Sequence, residues 1–186
     1  MLRKPIMKRI EQLRSVSAGG FAAEFGEVER QVDRAIEAEA TRAVSDEEAG
    51  GPEPPSSAET DRLEAGFKEI ALRAGENPSY SVVASWSLLG EIMVSVAADL
   101  LPKLRRSFGS GSSYLPVIRA LREQGVISDE TASALDSLRR LRNEVAHGVT
   151  APEAGAAVAY VRSANDLAEV IRSGADMVWR RRRYEE

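Results

Sequence analysis

The chain has no cysteine and one histidine in 186 residues. Without a thiol there can be no disulfide framework and no thiolate-held metal, and a lone imidazole is a poor basis for a zinc centre. Glu91 and Asp99 lie in an apolar stretch with no second ligand type nearby in sequence, so neither a metal nor a cofactor is expected. Aromatic residues make up only 5% of the chain while alanine is abundant, which disfavours a β-sandwich and favours helices packed through small side chains. No uninterrupted run of about 18 apolar residues occurs, so no bilayer span is expected. The N-terminus is basic but lacks the apolar stretch of a secretory signal. These absences together point to a cytoplasmic protein.

What the chain does contain is enough apolar surface for a core, 43% of its residues, and 29% charged residues to solvate the outside. The length suits one domain with an appendage. A net charge of −4 argues against a surface wholly given to nucleic acid, yet the charge is unevenly spread. Residues 1–14 carry Arg3, Lys4, Lys8, Arg9 and Arg14 against Glu11, residues 24–64 are acidic, and 101–147 are basic again. Local fields of this kind govern which partners approach.

Three regions separate by composition. In residues 1–43, Leu2, Ile6, Ile10 and Leu13 recur at helical spacing. The stretch "VSAGGFAAEFG" then reads as a small β-hairpin turning at Gly19-Gly20, and Val28, Val32 and Ile36 suggest an acidic helix after it. A basic start of this type could pack on its own domain, bind a partner, or rest through residues 1–25 on a membrane surface. Residues 44–58, with Gly50-Gly51 and Pro54-Pro55 among acids, have the composition of a flexible linker.

Residues 59–186 read as helical throughout. Ser56 and Glu59 have capping-box spacing, as do Thr150 and Glu153 with Pro152 between them. Val82, Trp86, Leu89, Met93, Val96 and Leu100 mark a long central helix that Pro102 ends, and its apolar face could bury against a twin. Leu115, Ile118 and Leu121 form a short helix closed by Gly125. Ser128, Asp129 and Glu130 start another that runs to Gly148. A last helix carries Val158, Val161, Leu167 or Ala168, and Ile171. The expected fold is all-α: an antiparallel four- to five-helix bundle with a small helix and β-hairpin appendage.

The chemistry concentrates at "LRNEVAHG", residues 141–148. At about 100° per residue, Leu135, Leu138, Leu141 and Val145 share the buried face. Asp136, Arg140, Asn143 and His147 share another, while Arg142 lies roughly 140° round from His147. Histidine moves protons near neutral pH, arginine offers a planar fork to phosphate oxygens, and asparagine can orient either imidazole or substrate. RNA brings its own nucleophile in the 2′-hydroxyl, so a phosphodiester could be cut there without metal. Arg139 and Arg140 add positive potential beside the motif, and Arg105 and Arg106 with Lys103 form a second basic edge for RNA backbone. The glycines of "SFGSGSSY" lack the lysine of a phosphate loop.

These residues resemble the HEPN superfamily, whose signature is an arginine, often followed by a polar residue, and then a histidine four to six residues on. The likeness covers about residues 59–180 in helix pattern and rests in detail on Arg142, Asn143 and His147. It implies a metal-independent RNA endonuclease, commonly of toxin–antitoxin or anti-phage systems, with two motifs brought into one cleft by a homodimer. It further implies that His147 transfers the proton, Arg142 stabilises the phosphate and Asn143 supports them. RNA and an antitoxin or defence-complex partner would be the binding partners. The alternative is a catalytically silent dimerisation or sensing module tethered through the N-terminal region. A third reading makes the acidic segment 24–64 a nucleic-acid mimic. Without the resemblance, a histidine in a last helical turn can simply stabilise the negative end of the helix dipole.

Overall fold

The computed structural model describes residues 3–47, 58–102 and 114–185. Six helices and no strand lie among them: α1 (Arg3–Glu47), α2 (Ala58–Arg73), α3 (Pro78–Leu100), α4 (Leu115–Glu123), α5 (Asp129–Ala146) and α6 (Ala154–Glu185). The all-α expectation holds.

Local chemistry sets most of the helix ends. Asn77 caps α3 by accepting the Tyr80 N–H at 3.1 Å, with Pro78 in the first turn, where its missing N–H costs nothing. Ser128 caps α5 by accepting the Thr131 N–H at 3.1 Å, and Asp129 and Glu130 sit on the positive end of that helix. Gly125 and Gly148, at φ 72° and 68°, close α4 and α5 in the same way. After α5, Gly148 N–H bonds the Val145 carbonyl at 3.1 Å and Val149 N–H the Glu144 carbonyl at 2.8 Å, a pairing that needs the left-handed residue between them. A cap at Thr150 would start the last helix three residues earlier than it begins. Helix α6 starts at Ala154, and Ala157 N–H bonds the Glu153 carbonyl at 2.9 Å, which puts Glu153 itself at the cap.

Helix α3 forms the centre. Val82, Trp86, Leu89 and Met93 are all fully buried against α2, α4, α5 and α6. By length and composition α3 could also cross a membrane, but half of its apolar window is buried inside the protein. Trp86 is therefore covered by its own chain and is not free to bury against a twin, while Val96 stays half-buried. Helix α5 adds Leu135, Leu138, Leu141 and Val145, and α6 adds Tyr160, Leu167 and Ile171. The buried Tyr160 hydroxyl donates to the Leu138 carbonyl at 2.9 Å, so its polar end is satisfied.

The β-hairpin at Gly19-Gly20 is not formed; α1 runs unbroken through it. Phe21, Phe25, Val28, Val32 and Ala35 step by four and three along one stripe, each at most 6% exposed, whereas Ala23, which a hairpin would put on the same face as Phe21 and Phe25, is exposed. Burying the two phenylalanines stabilises by roughly 1.5–3 kcal/mol each. A glycine in a helix costs about 1 kcal/mol, so packing on α5 and α6 wins. A Cβ added at Gly20 would meet nothing within 4 Å. Gly20→Ala should therefore stabilise by about 1 kcal/mol and raise the melting temperature by about 2–4 °C. A hairpin with a left-handed Gly20 would show the opposite sign.

Polar contacts then stitch α1 to α5, antiparallel. Buried Glu39 accepts the Ser128 N–H at 2.6 Å and the Thr131 hydroxyl at 3.0 Å, adding a carboxylate to the positive end of α5. Arg42 donates to the Gly125 carbonyl at 2.5 Å, and the Ser137 hydroxyl to Gln31 at 2.7 Å. The side chains of residues 21–35 thus share one core with the region that carries the motif. Of the linker at 44–58, residues 44–47 belong to α1, Ala58 opens α2, and 48–57, with the serine of the first capping box, lie outside the described residues.

Candidate functional site

His147 occupies the C-terminal cap of α5, its backbone N–H bonded to the Asn143 carbonyl at 2.9 Å. Its side chain is exposed, and no hydrogen bond or ion pair reaches the ring among the described residues. Among the described residues nothing holds the imidazole, and it is open to solvent.

Arg142 is placed very differently. It is half-buried, with its guanidinium carbon 5.8 Å from the centre of the Trp86 ring on α3, within cation–π range. Nη1 donates to Asn143 Oδ1 at 2.9 Å, and Nε is buried without a partner. Arg142 and Asn143 are thus brought together, while no contact joins the His147 ring to either. The 140° between positions 142 and 147 accounts for this: one helix aims the arginine at the α3 side and the histidine at solvent.

The expected RNA-binding arginines divide in two. Arg139 and Arg140 both hold Asp136, Arg139 Nη2 at 2.8 Å and Arg140 Nη2 at 2.6 Å. Burial alone would raise the Asp136 carboxyl, but hydrogen bonds from the two guanidiniums outweigh it and hold the group below its ordinary range. Arg140 remains 70% exposed, and an exposed ion pair is worth only about 0–1 kcal/mol, so a phosphate could compete for it. Arg105 and Arg106 lie outside the described residues.

Two open cavities lie on the surface, and neither is lined by Arg142, Asn143 or His147. One of about 980 Å³ runs between α1, α4 and α5; there Arg34, Arg119, Arg122 and Arg140 face as many acids. The other, about 530 Å³, lies between α2 and α6 beside Lys68 and Arg162. Among the described residues no three histidine, aspartate or glutamate side chains converge as metal ligands. No family model, curated protein or solved structure matches this chain.

Sequence reasoning missed two features of this region. Trp86 reads as plain core, since nothing in its own neighbourhood signals a guanidinium carried 56 residues later. Glu24 of α1 meets Glu144 of α5, one residue beyond Asn143, carboxyl to carboxyl. Burial, then the charge of Glu24 and a hydrogen bond to it, raise Glu144. On the far side of α1, burial and then the charge of Glu169 raise Asp166.

A raised carboxyl in the folded state binds protons that the unfolded chain has already lost. Its contribution to stability is present at low pH and disappears as pH rises through the folded value. Asp136 has the opposite sign, its contribution vanishing as pH falls below the ordinary carboxylate range. Stability should therefore rise as pH falls from neutral toward the ordinary carboxylate range and decline below that range. Glu144→Gln should raise the urea midpoint at neutral pH and weaken the gain on acidification. A midpoint that falls steadily from pH 7 downward would contradict this account.

Proposed function

We propose that the chain is a metal-independent endoribonuclease of HEPN type, an antiparallel helical bundle that works as a homodimer in a toxin–antitoxin or anti-phage setting in the cytoplasm. The observation that carries the reading is the exposed, unpartnered His147 ring at the close of α5, one turn beyond an Asn143 that already holds the Arg142 guanidinium. In the proposed reaction an RNA 2′-oxygen attacks the adjacent phosphorus and the bond to the 5′-oxygen breaks. This leaves a 2′,3′-cyclic phosphate and a 5′-hydroxyl. His147 transfers the proton, and Arg142 stabilises the charge on the phosphoryl oxygens. Since Arg142 and His147 of one chain diverge, the complete site combines the Arg142 of one copy with the His147 of another.

A second reading is favoured by one observation: Arg142 turns toward Trp86, as an arginine with a purely structural duty would. The chain would then be a silent dimerisation or sensing module. The deciding experiment incubates the purified protein with RNA in the presence of a chelator and maps fragment ends. Cyclic phosphate ends that vanish in His147→Ala support the enzyme. RNA left intact by the wild type rejects it in favour of the module.

A further inference from the structure

Resting on the ribonuclease reading, we propose that Trp86 is a positioning residue for Arg142, its indole face presenting the guanidinium to a phosphate with one edge free. The guanidinium is constrained on three sides. Its carbon lies over the indole ring, 5.8 Å from the ring centre, Nη1 is bonded to Asn143 Oδ1, and Nε is buried. Nη2 has no hydrogen-bond partner among the described residues. An arginine fixed in this way loses little freedom when an anion arrives, and its direction is set before substrate binds.

Core packing by itself leaves something unexplained. Trp86 is fully buried, yet its indole N–H meets no acceptor among the described residues. A buried tryptophan ordinarily finds a partner for that donor, and an aliphatic side chain would fill the space without one. What an aliphatic side chain cannot supply is the electron-rich face a cation needs. The indole also has an aromatic neighbour. The Tyr114 ring meets it edge-on at 5.7 Å, and Tyr114 lies over Gly90, where any Cβ would strike its ring. Gly90, Tyr114, Trp86 and Arg142 are thus successive neighbours between the middle of α3 and the motif.

Two measurements test the assignment. Trp86 and Trp179 are the only tryptophans, so in a Trp179→Phe background Trp86 reports alone. There, Arg142→Met should shift the Trp86 emission by removing the cation; unchanged emission would mean that the contact is absent in solution and overturns the inference. The second uses the full chain and a short fluorophore-labelled single-stranded RNA of mixed sequence. Trp86→Leu should lower kcat by roughly 10-fold with KM nearly unchanged, and Trp86→Phe, which keeps a ring, should recover most of the rate. Equal loss in both variants at equal helix content indicates packing alone and overturns the inference. If Trp86→Leu does not fold, Trp86→Phe and the emission shift decide. RNA left uncut by the wild type rejects the ribonuclease reading and this inference with it, whereas cutting indifferent to Trp86→Leu rejects the inference only.

Discussion

Replacing His147 with alanine is expected to lower RNA cleavage by about 10²–10⁴-fold, the usual contribution of a positioned proton-transfer group. The fold should hardly respond. The ring is exposed and unbonded, and the backbone bond from position 147 to the Asn143 carbonyl does not depend on the side chain. At most the variant loses a favourable charge at the end of α5, worth about 0.3–1 kcal/mol. Arg142→Ala is a poorer probe, since it also empties the space beside Trp86. Mixing the two variants exploits the divergence of the side chains. When inactive Arg142→Ala and His147→Ala chains are denatured together and refolded, half of the dimers are mixed, and each mixed dimer holds one complete site shared between copies. Cleavage should return to about a quarter of the wild-type rate, as random pairing of two-fold partners requires. No recovery, from variants that each fold and dimerise, would mean that the site lies within a single chain or does not exist.

How much of this could be read in advance depended on how local the cause was. The start of α5 at Ser128, its end at Gly148 and the stop of α3 before Pro102 are encoded within a few residues of where they act. They agree with the sequence reading. The Asp136 pairs were within reach for the same reason, since Arg139 and Arg140 follow it by three and four residues. Helix α1 shows the opposite case. Its glycine pair gives a strong local turn signal, but the surface that overrules it, on α5 and α6, lies more than a hundred residues downstream. The candidate site divides in the same way. The angular separation of Arg142 and His147 follows from helix geometry and is legible. What the arginine rests on, and which acid from α1 meets Glu144, depend on side chains brought in by tertiary packing.

Among the described glycines, Gly174→Ala should be the most destabilising change, and a rule based on helix propensity gets its sign wrong. Position 174 lies inside α6, where alanine is preferred to glycine by about 1 kcal/mol. A Cβ there, however, would run into the Val126 carbonyl oxygen, with the carbonyl carbon at 3.0 Å and Cγ1 at 3.4 Å. The obstacle is backbone, so no rotamer change can clear it. The backbone it strikes is the turn closed by Gly125, which leads into fully buried Val126, Ile127 and the Ser128 cap held by Glu39. Displacing that turn disturbs the packing of α6 and the polar join between α1 and α5 at once. Overpacking usually costs about 1–3 kcal/mol and more against rigid surroundings, so a net loss of roughly 3 kcal/mol is expected even after the propensity gain. For a chain of this size that lowers the melting temperature by roughly 6–12 °C. The same substitution at Gly20, with open space around it, should raise it. Helices α1 and α6 thus receive one methyl each with opposite outcomes, and a Gly174→Ala protein that melts at or above the wild type would mean that the turn at Val126 does not seat on α6.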